Sequence, residues 1–108
     1  MTAIEMVHFI THPKRYKILK VLLEKYDEYM CGTFPPDAHL SYKEVAKKAN
    51  IPDYEASYFL SQLCDNEIIG SNLEKRTSGN ATIAIRCYYL IPSNTVWLKR
   101  LVKAIQTM

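Results

Sequence analysis

The stretch SYKEVAKKANIPDYEASYFLSQLCDNEII, residues 41–69, decides the fold. Ser41 and Glu44 form a capping box, in which each side chain accepts a hydrogen bond from the other residue's backbone amide. The segment Asn50-Ile51-Pro52 ends this first helix, because a residue that precedes proline avoids the helical region. A second helix begins at Pro52 or Asp53, where proline lacks only an unused amide and an acid suits the helix dipole. The stretch therefore predicts a helix-turn-helix.

Apolar spacing supports both helices. The first carries Val45, Ala46 and Ala49 on one face. The second carries a stripe at i, i+3, i+4 and i+7, formed by Ala56, Phe59, Leu60 and Leu63.

A β-hairpin is predicted directly after these helices. Residues 68–73 read as a strand interrupted by Gly70, residues 74–80 as a polar tip, and residues 82–91 as a strand of alternating residues. Pro92 ends the hairpin, and Ser93 or Asn94 caps a last helix that runs to about Gln106.

Two helices are predicted before the helix-turn-helix, at residues 2–10 and 13–29, and a loop at residues 31–40, which contain Gly32 and Pro35-Pro36. The predicted class is α+β, mostly α: a winged helix-turn-helix with a two- or three-stranded wing and a C-terminal helix. Residues 1–108 form one domain, with an N-terminal segment at 1–12, the helix-turn-helix at 41–69, the wing at 70–91 and a dimerisation helix at 93–107.

Composition is that of an ordinary globular protein, with 48% hydrophobic and 23% charged residues and a net charge of +3. No apolar run reaches the length of a membrane span and no signal peptide is recognisable, so a cytoplasmic location is expected. The mild positive charge is compatible with a nucleic-acid partner without requiring one.

No catalytic or metal-binding motif is evident, so we expect neither an enzyme nor a cofactor or metal. The three glycines exclude a glycine-rich phosphate loop, and the cysteines, Cys31, Cys64 and Cys87, match no zinc spacing. Three reduced thiols are the favoured interpretation, although one disulfide or a bond between subunits remains open. Redox sensing through these thiols is a weaker alternative.

The order of elements and several motifs resemble winged helix-turn-helix transcription regulators of the ArsR/MarR-like type. The resemblance lies in THPKRYKILKVLLE (11–24), the helix-turn-helix SYKEVAKKANIPDYEASYFLSQL (41–63), CDNEIIG (64–70) and YYL (88–90). It implies a homodimer on a palindromic DNA duplex, with the second helix of the motif in the major groove and the wing near the minor groove or backbone.

Two departures from this family concern the longer loop at 30–40 and the charge of the reading helix. Residues 53–67 contain four acids and no lysine or arginine. Backbone contacts must then come from basic residues on either side of that helix. These candidates are Lys43, Lys47, Lys48, Lys75, Arg76 and Arg86.

Base reading is assigned to hydroxyl and amide side chains on the outward face of the reading helix, which can hydrogen-bond base edges. The candidates are Tyr54, Ser57, Tyr58, Ser61 and Gln62. Glu55 either accepts from cytosine or serves the helix dipole. Ordinary polar surface is the alternative for this face.

The C-terminal helix has a wide apolar face, part of which we expect to meet a second subunit. The dimerisation candidates are Trp97, Leu98, Leu101, Val102 and Ile105. Packing on its own domain alone is the alternative. The acidic, tyrosine-rich reading helix also leaves open a second function, a protein–protein interaction module of transcription machinery without DNA readout.

Overall fold

The computed structural model describes residues 2–30 and 39–107, so most of the predicted loop at 31–40 lies outside the described residues. In these residues the elements follow one another as α1 Ala3–Thr11, α2 Pro13–Met30, β1 Leu40–Ser41, α3 Tyr42–Ala49, α4 Asp53–Asp65, β2 Ile69–Ser78, β3 Ala81–Leu90, a 3-10 turn Pro92–Asn94 and α5 Thr95–Gln106. Within these ranges, every helix is too short or too polar to cross a membrane.

The helix-turn-helix is confirmed in detail. Ser41 caps α3 through both hydrogen bonds of the capping box, at 3.3 Å from the Glu44 amide to the serine hydroxyl and 3.1 Å from the Ser41 amide to the Glu44 carboxylate. Asn50 ends α3 in the left-handed conformation (φ 57°), which asparagine tolerates better than most residues. The tight turn thus follows from local chemistry.

Three antiparallel strands form the sheet, in the order β1-β3-β2. The two-residue β1 pairs Leu40 with Tyr88 and Ser41 with Cys87, so the capping serine also fixes α3 to the sheet. This arrangement is the wing and its anchoring strand. It confirms the predicted hairpin, and of the two forms expected, two- or three-stranded, it has the three-stranded one.

The wing is longer than the sequence predicts. Residues 74–78, expected as a polar tip, belong to β2, and each residue from Ile69 to Ser78 pairs with one of β3. The turn contains only Gly79 and Asn80, with Gly79 at φ 62°. Regular pairing with β3 has overridden the weak strand preference of the charged residues.

One hydrophobic core joins α2, α3, α4, α5 and the base of the sheet. Its fully buried members include Ile10, Ile18, Leu19, Leu22, Leu40, Val45, Leu60, Leu63, Ile68, Ile69 and Leu98. The alternation predicted along β3 does not appear as one buried and one exposed face. At the base of the strand Cys87, Tyr88 and Leu90 are all buried, whereas residues 81–84 are exposed on both faces because that half of the wing projects beyond the core.

Asn94 has a different role from the predicted helix cap. Its side chain makes no cap bond to α5 and donates instead to the carbonyl oxygens of Glu67 (3.1 Å) and Ile68 (3.0 Å). Its amide oxygen accepts from the Trp97 indole at 3.1 Å. Asn94 thereby connects the start of α5 to the segment between α4 and β2.

Gly70 explains the close packing at the base of the wing. The ring of Tyr89 lies across it, and a Cβ at position 70 would come within 2.6 Å of that ring. The Tyr89 ring also stacks on His39 at a centroid distance of 4.7 Å. The tyrosine is therefore in contact with both the glycine backbone and the imidazole.

Replacement of Gly70 by alanine tests this packing. Because Tyr89 must leave its stack, we expect Gly70→Ala to lower the free energy of unfolding by about 1–2 kcal/mol, measured by thermal melting. In a Tyr89→Ala background the same change should be neutral or slightly stabilising, since alanine loses less chain entropy than glycine on folding. Equal destabilisation in both backgrounds would contradict the account.

Candidate nucleic-acid interface

The outward face of α4 carries polar and aromatic side chains. Ala56, Leu60 and Leu63 are fully buried, so the opposite face of the helix points to solvent. Tyr54 is 74% exposed and Tyr58 60% exposed. Ser61 is exposed and Ser57 half-buried. These four base-reading candidates thus lie at the surface or partly so, as does the fifth, Gln62.

Gln62, the fifth candidate, is engaged within the protein. Its amide oxygen accepts from Nε and Nη2 of Arg15 at 3.0 and 2.9 Å, and its amide nitrogen donates to the Tyr58 hydroxyl at 3.0 Å. The side chain is half-buried. A free bidentate contact from Gln62 to adenine is therefore not available in this arrangement, because the amide is already used on both sides.

The start of α2 clamps α4 through charges. Lys14 forms an ion pair with Glu55, which removes this acid from the exposed negative charge of α4. Arg15 also donates to the Phe9 carbonyl oxygen at 3.2 Å, and its guanidinium lies 4.1 Å from the Phe9 ring centroid and 5.5 Å from that of Phe59. These two residues fix α4 relative to α1 and α2.

Basic side chains stand beside α4 on α3. Lys43, Lys47 and Lys48 are all exposed. Because α3 packs directly against α4, these ammonium groups lie on the element next to the exposed tyrosines. Lys47 and Lys48 occupy the last turn of α3, where the helix dipole favours positive charge.

The three wing candidates differ in their surroundings. Lys75 is exposed. Arg86 is exposed and donates to the Ser71 hydroxyl at 3.0 Å. Arg76 is half-buried; it pairs with Glu44 at the start of α3 and lies 3.9 Å from Glu74 on β2. Arg76 is thus engaged within the protein, and its contact with the DNA backbone stays a prediction.

A chain of charges connects the wing to the helix-turn-helix through Arg76. Glu74 also contacts the His39 imidazole. The contacts therefore run from Glu44 to Arg76, from Arg76 to Glu74 and from Glu74 to His39. Burial alone would raise the pKa of Glu44, but hydrogen bonds from the Ser41 amide and the Arg76 guanidinium lower it below 4.5. The chain joins β2 of the wing to the start of α3.

The dimerisation candidates divide into two groups. Leu98 is fully buried and Val102 nearly so, both inside the core of their own domain, which corrects their assignment to a subunit contact. Trp97, Leu101 and Ile105 are half-buried, and Val96, which was not a candidate, is 60% exposed. Only this second group is accessible to a partner.

Cys64 and Cys87 are free thiols, whereas Cys31 lies outside the described residues. Burial raises the pKa of both thiols, which keeps them protonated and poorly reactive. Within residues 2–30 and 39–107, no three histidine, cysteine or acidic side chains are close enough together to hold a metal ion.

Comparison with known proteins gives structural neighbours only. No protein-family model and no curated protein sequence matches the chain. A protein with a GntR superfamily winged-helix-turn-helix domain from Halomicrobium mukohataei superposes with a TM-score of 0.58 at 16% identity, covering 97% of this chain and 73% of that one. The protein has a winged helix-turn-helix fold.

Two further structures are more distant. A possible transcriptional regulator from Methanosarcina mazei Go1 gives a TM-score of 0.45 at 12% identity, covering 83% of this chain and 78% of that one. The YusO protein from Bacillus subtilis gives 0.43 at 12% identity, covering 99% and 82%. The narrower ArsR/MarR-like assignment stays a prediction.

Sequence reasoning missed the residues that hold the interface in place. The sequence motifs assign no individual role to Lys14 or Arg15. The contact between Arg15 and Gln62 joins residues 47 positions apart. No local pattern marks such a pair, because an arginine at the start of one helix and a glutamine on another are both ordinary surface residues.

Comparison of Arg76→Ala with Lys75→Ala tests the charge chain. Both variants lose one positive charge from β2. We expect Arg76→Ala to lower the free energy of unfolding by about 1 kcal/mol, since it breaks two ion pairs. Lys75→Ala should lower it by about 0.5 kcal/mol or less, which is usual for a surface substitution. Urea unfolding gives both values, and equal effects would contradict the chain.

The pH dependence of the same difference has a definite sign. The pKa of Glu44 is lowered in the fold, so its ion pair stabilises the protein above pH 4.5 and is lost as the pH falls through the lower folded pKa. The advantage of wild type over Arg76→Ala should therefore be complete at neutral pH and shrink in acid. An advantage that grows in acid would contradict this assignment.

Proposed function

We propose that the protein is a sequence-specific double-stranded DNA-binding transcription regulator that acts as a homodimer. The outward face of α4, with Tyr54 and Tyr58 largely exposed beside the lysines of α3 and ahead of a projecting wing, is the observation that supports it. In winged helix-turn-helix proteins that bind DNA, such a helix enters the major groove by its N-terminal half. Phosphate contacts from Lys43, Lys47, Lys48, Lys75 and Arg86 then position the helix.

The four acidic residues of 53–67 oppose DNA binding less than their number suggests. Glu55 is paired with Lys14. Asp65 is the last residue of α4, about 18 Å along the axis from Asp53 at a rise of about 1.5 Å per residue, and Glu67 lies beyond it. Asp65 and Glu67 therefore lie at the end of α4 that is remote from Tyr54, whereas Asp53 and the paired Glu55 lie beside it.

Accessible apolar surface at the C-terminus supports the homodimer. Val96, Trp97, Leu101 and Ile105 offer exposed or half-buried side chains on α5. A two-fold contact through them would present two copies of α4 to a palindromic site.

A protein-binding role without DNA readout is the alternative. The specific observation in its favour is the pair of exposed tyrosines, because aromatic residues are enriched in protein interfaces. Tyr54→Ala combined with Tyr58→Ala distinguishes the two. The alternative requires loss of a retained protein partner, whereas the DNA function requires loss of duplex affinity.

Removal of the α3 lysines tests the DNA function. We expect wild type to bind labelled duplex at low salt, and Lys47→Ala/Lys48→Ala to weaken binding alike on all sequences and to reduce the salt slope by about 2 per subunit, or about 4 for the homodimer. Arg100→Ala/Lys103→Ala, which removes two exposed positive charges from α5, is the matched control and should leave the slope unchanged. Fluorescence anisotropy at several salt concentrations measures both quantities. Absence of wild-type binding at low salt would refute the function.

Sedimentation tests the homodimer. A carboxylate in an apolar contact is costly, so Val96→Glu should dissociate the dimer at micromolar concentration. Gln106→Glu adds the same charge at another exposed position of α5 and should leave it intact. A monomeric wild-type protein, or equal behaviour of the two variants, would contradict the proposal.

A further inference from the structure

Gln62 lies between the guanidinium of Arg15 and the hydroxyl of Tyr58. Arg15 donates twice to its amide oxygen, at 3.0 Å from Nε and 2.9 Å from Nη2. On the other side, its amide nitrogen lies 3.0 Å from the Tyr58 hydroxyl oxygen, one helical turn away on α4. The three side chains form a series of hydrogen bonds in which Arg15 on α2 donates to Gln62 and Gln62 donates to Tyr58 at the surface of α4.

The direction of this series is fixed by chemistry. The amide oxygen and nitrogen of glutamine have similar outlines, so their placement is settled by their partners. Arginine has five N–H donors and no acceptor. The side of Gln62 that faces Arg15 must therefore be its oxygen, and the side that faces Tyr58 must be its NH₂ group.

The orientation of the tyrosine hydroxyl follows. Because its oxygen accepts the hydrogen bond from Gln62, its own proton must point elsewhere. Tyr58 is 60% exposed on the outward face of α4, so the proton is available to a ligand there. We propose that Arg15 and Gln62 are positioning residues that make Tyr58 a hydrogen-bond donor to an acceptor on duplex DNA, either a phosphate oxygen or a major-groove N7, O6 or O4. This inference rests on the proposed DNA-binding function.

Arg15 is itself rigidly held, which makes the orientation durable. Its Nη1 donates to the Phe9 carbonyl oxygen at 3.2 Å, and the rings of Phe9 and Phe59 lie against the guanidinium. The side chain is half-buried. A guanidinium that contacts both α1 and α4 gives the glutamine one preferred orientation, so Tyr58 is oriented before DNA arrives.

Gln62→Glu reverses the polarity of the series with little structural change. The carboxylate keeps an acceptor for Arg15 and improves that contact by adding charge. It cannot donate to Tyr58, so the hydroxyl now donates inward and turns lone pairs toward the DNA. The added negative charge also weakens DNA binding by itself, and a double-mutant cycle with Tyr58→Phe removes this contribution.

Duplex affinities of wild type, Tyr58→Phe, Gln62→Glu and the double variant test the inference. We expect Tyr58→Phe to weaken binding about three- to tenfold for each subunit that contacts the duplex, as for one neutral hydrogen bond per subunit. Gln62→Glu should weaken binding at least about threefold more in the Tyr58 protein than in the Tyr58→Phe background. Thermal melting of each variant confirms that the fold is kept; Tyr58→Phe changes an exposed side chain and stays informative on its own.

The outcomes are separable. Wild-type protein that fails to bind any duplex refutes the DNA function itself. Wild-type binding with no loss in Tyr58→Phe, or with equal losses from Gln62→Glu in both backgrounds, refutes the donor role alone. Once the donor role holds, the same loss on all sequences identifies a phosphate acceptor, and a loss confined to sequences with one base at one position identifies a base edge.

Discussion

Burial of one face of α4 is the constraint on which the rest of the structure depends. Ala56, Leu60 and Leu63 are completely inaccessible, and each leucine contributes about 2 kcal/mol by leaving water. Because these residues face α2 and α3, the polar side of the helix is turned outward as a consequence. Burial of the apolar residues on one side of α4 thus turns the tyrosines and serines on its other side toward solvent.

Polar contacts add to the positioning of the helices that burial of apolar side chains provides. Lys14 and Arg15 act from α2, the capping box acts at the start of α3, and the chain from Glu44 through Arg76 to His39 reaches the wing. Each pair is partly solvated and modest in energy. Together they connect the helix-turn-helix to the wing, so the two parts of the proposed DNA surface keep a fixed relation.

The fold was largely readable from the sequence because its signals are local. The capping box of Ser41 and Glu44, the turn at Asn50 and the apolar stripe of α4 each depend on residues within a few positions. The length of the wing, the role of Asn94 and the burial of Leu98 were not readable, since they depend on pairing with distant elements. Among the site residues, exposure of Tyr54 and Tyr58 followed from helix periodicity. The engagement of Gln62 by Arg15 required the packed structure, because nothing near either residue indicates the other.

Chemical-shift mapping by NMR tests the central claim most directly. Labelled protein is titrated with a duplex selected from a random pool, and backbone and side-chain signals are followed. We expect the largest changes along the exposed face of α4, at the lysines of α3 and at the wing tip near Lys75 and Gly79. Changes confined to the α2–α5 side of the domain, or no change at low salt, would contradict it.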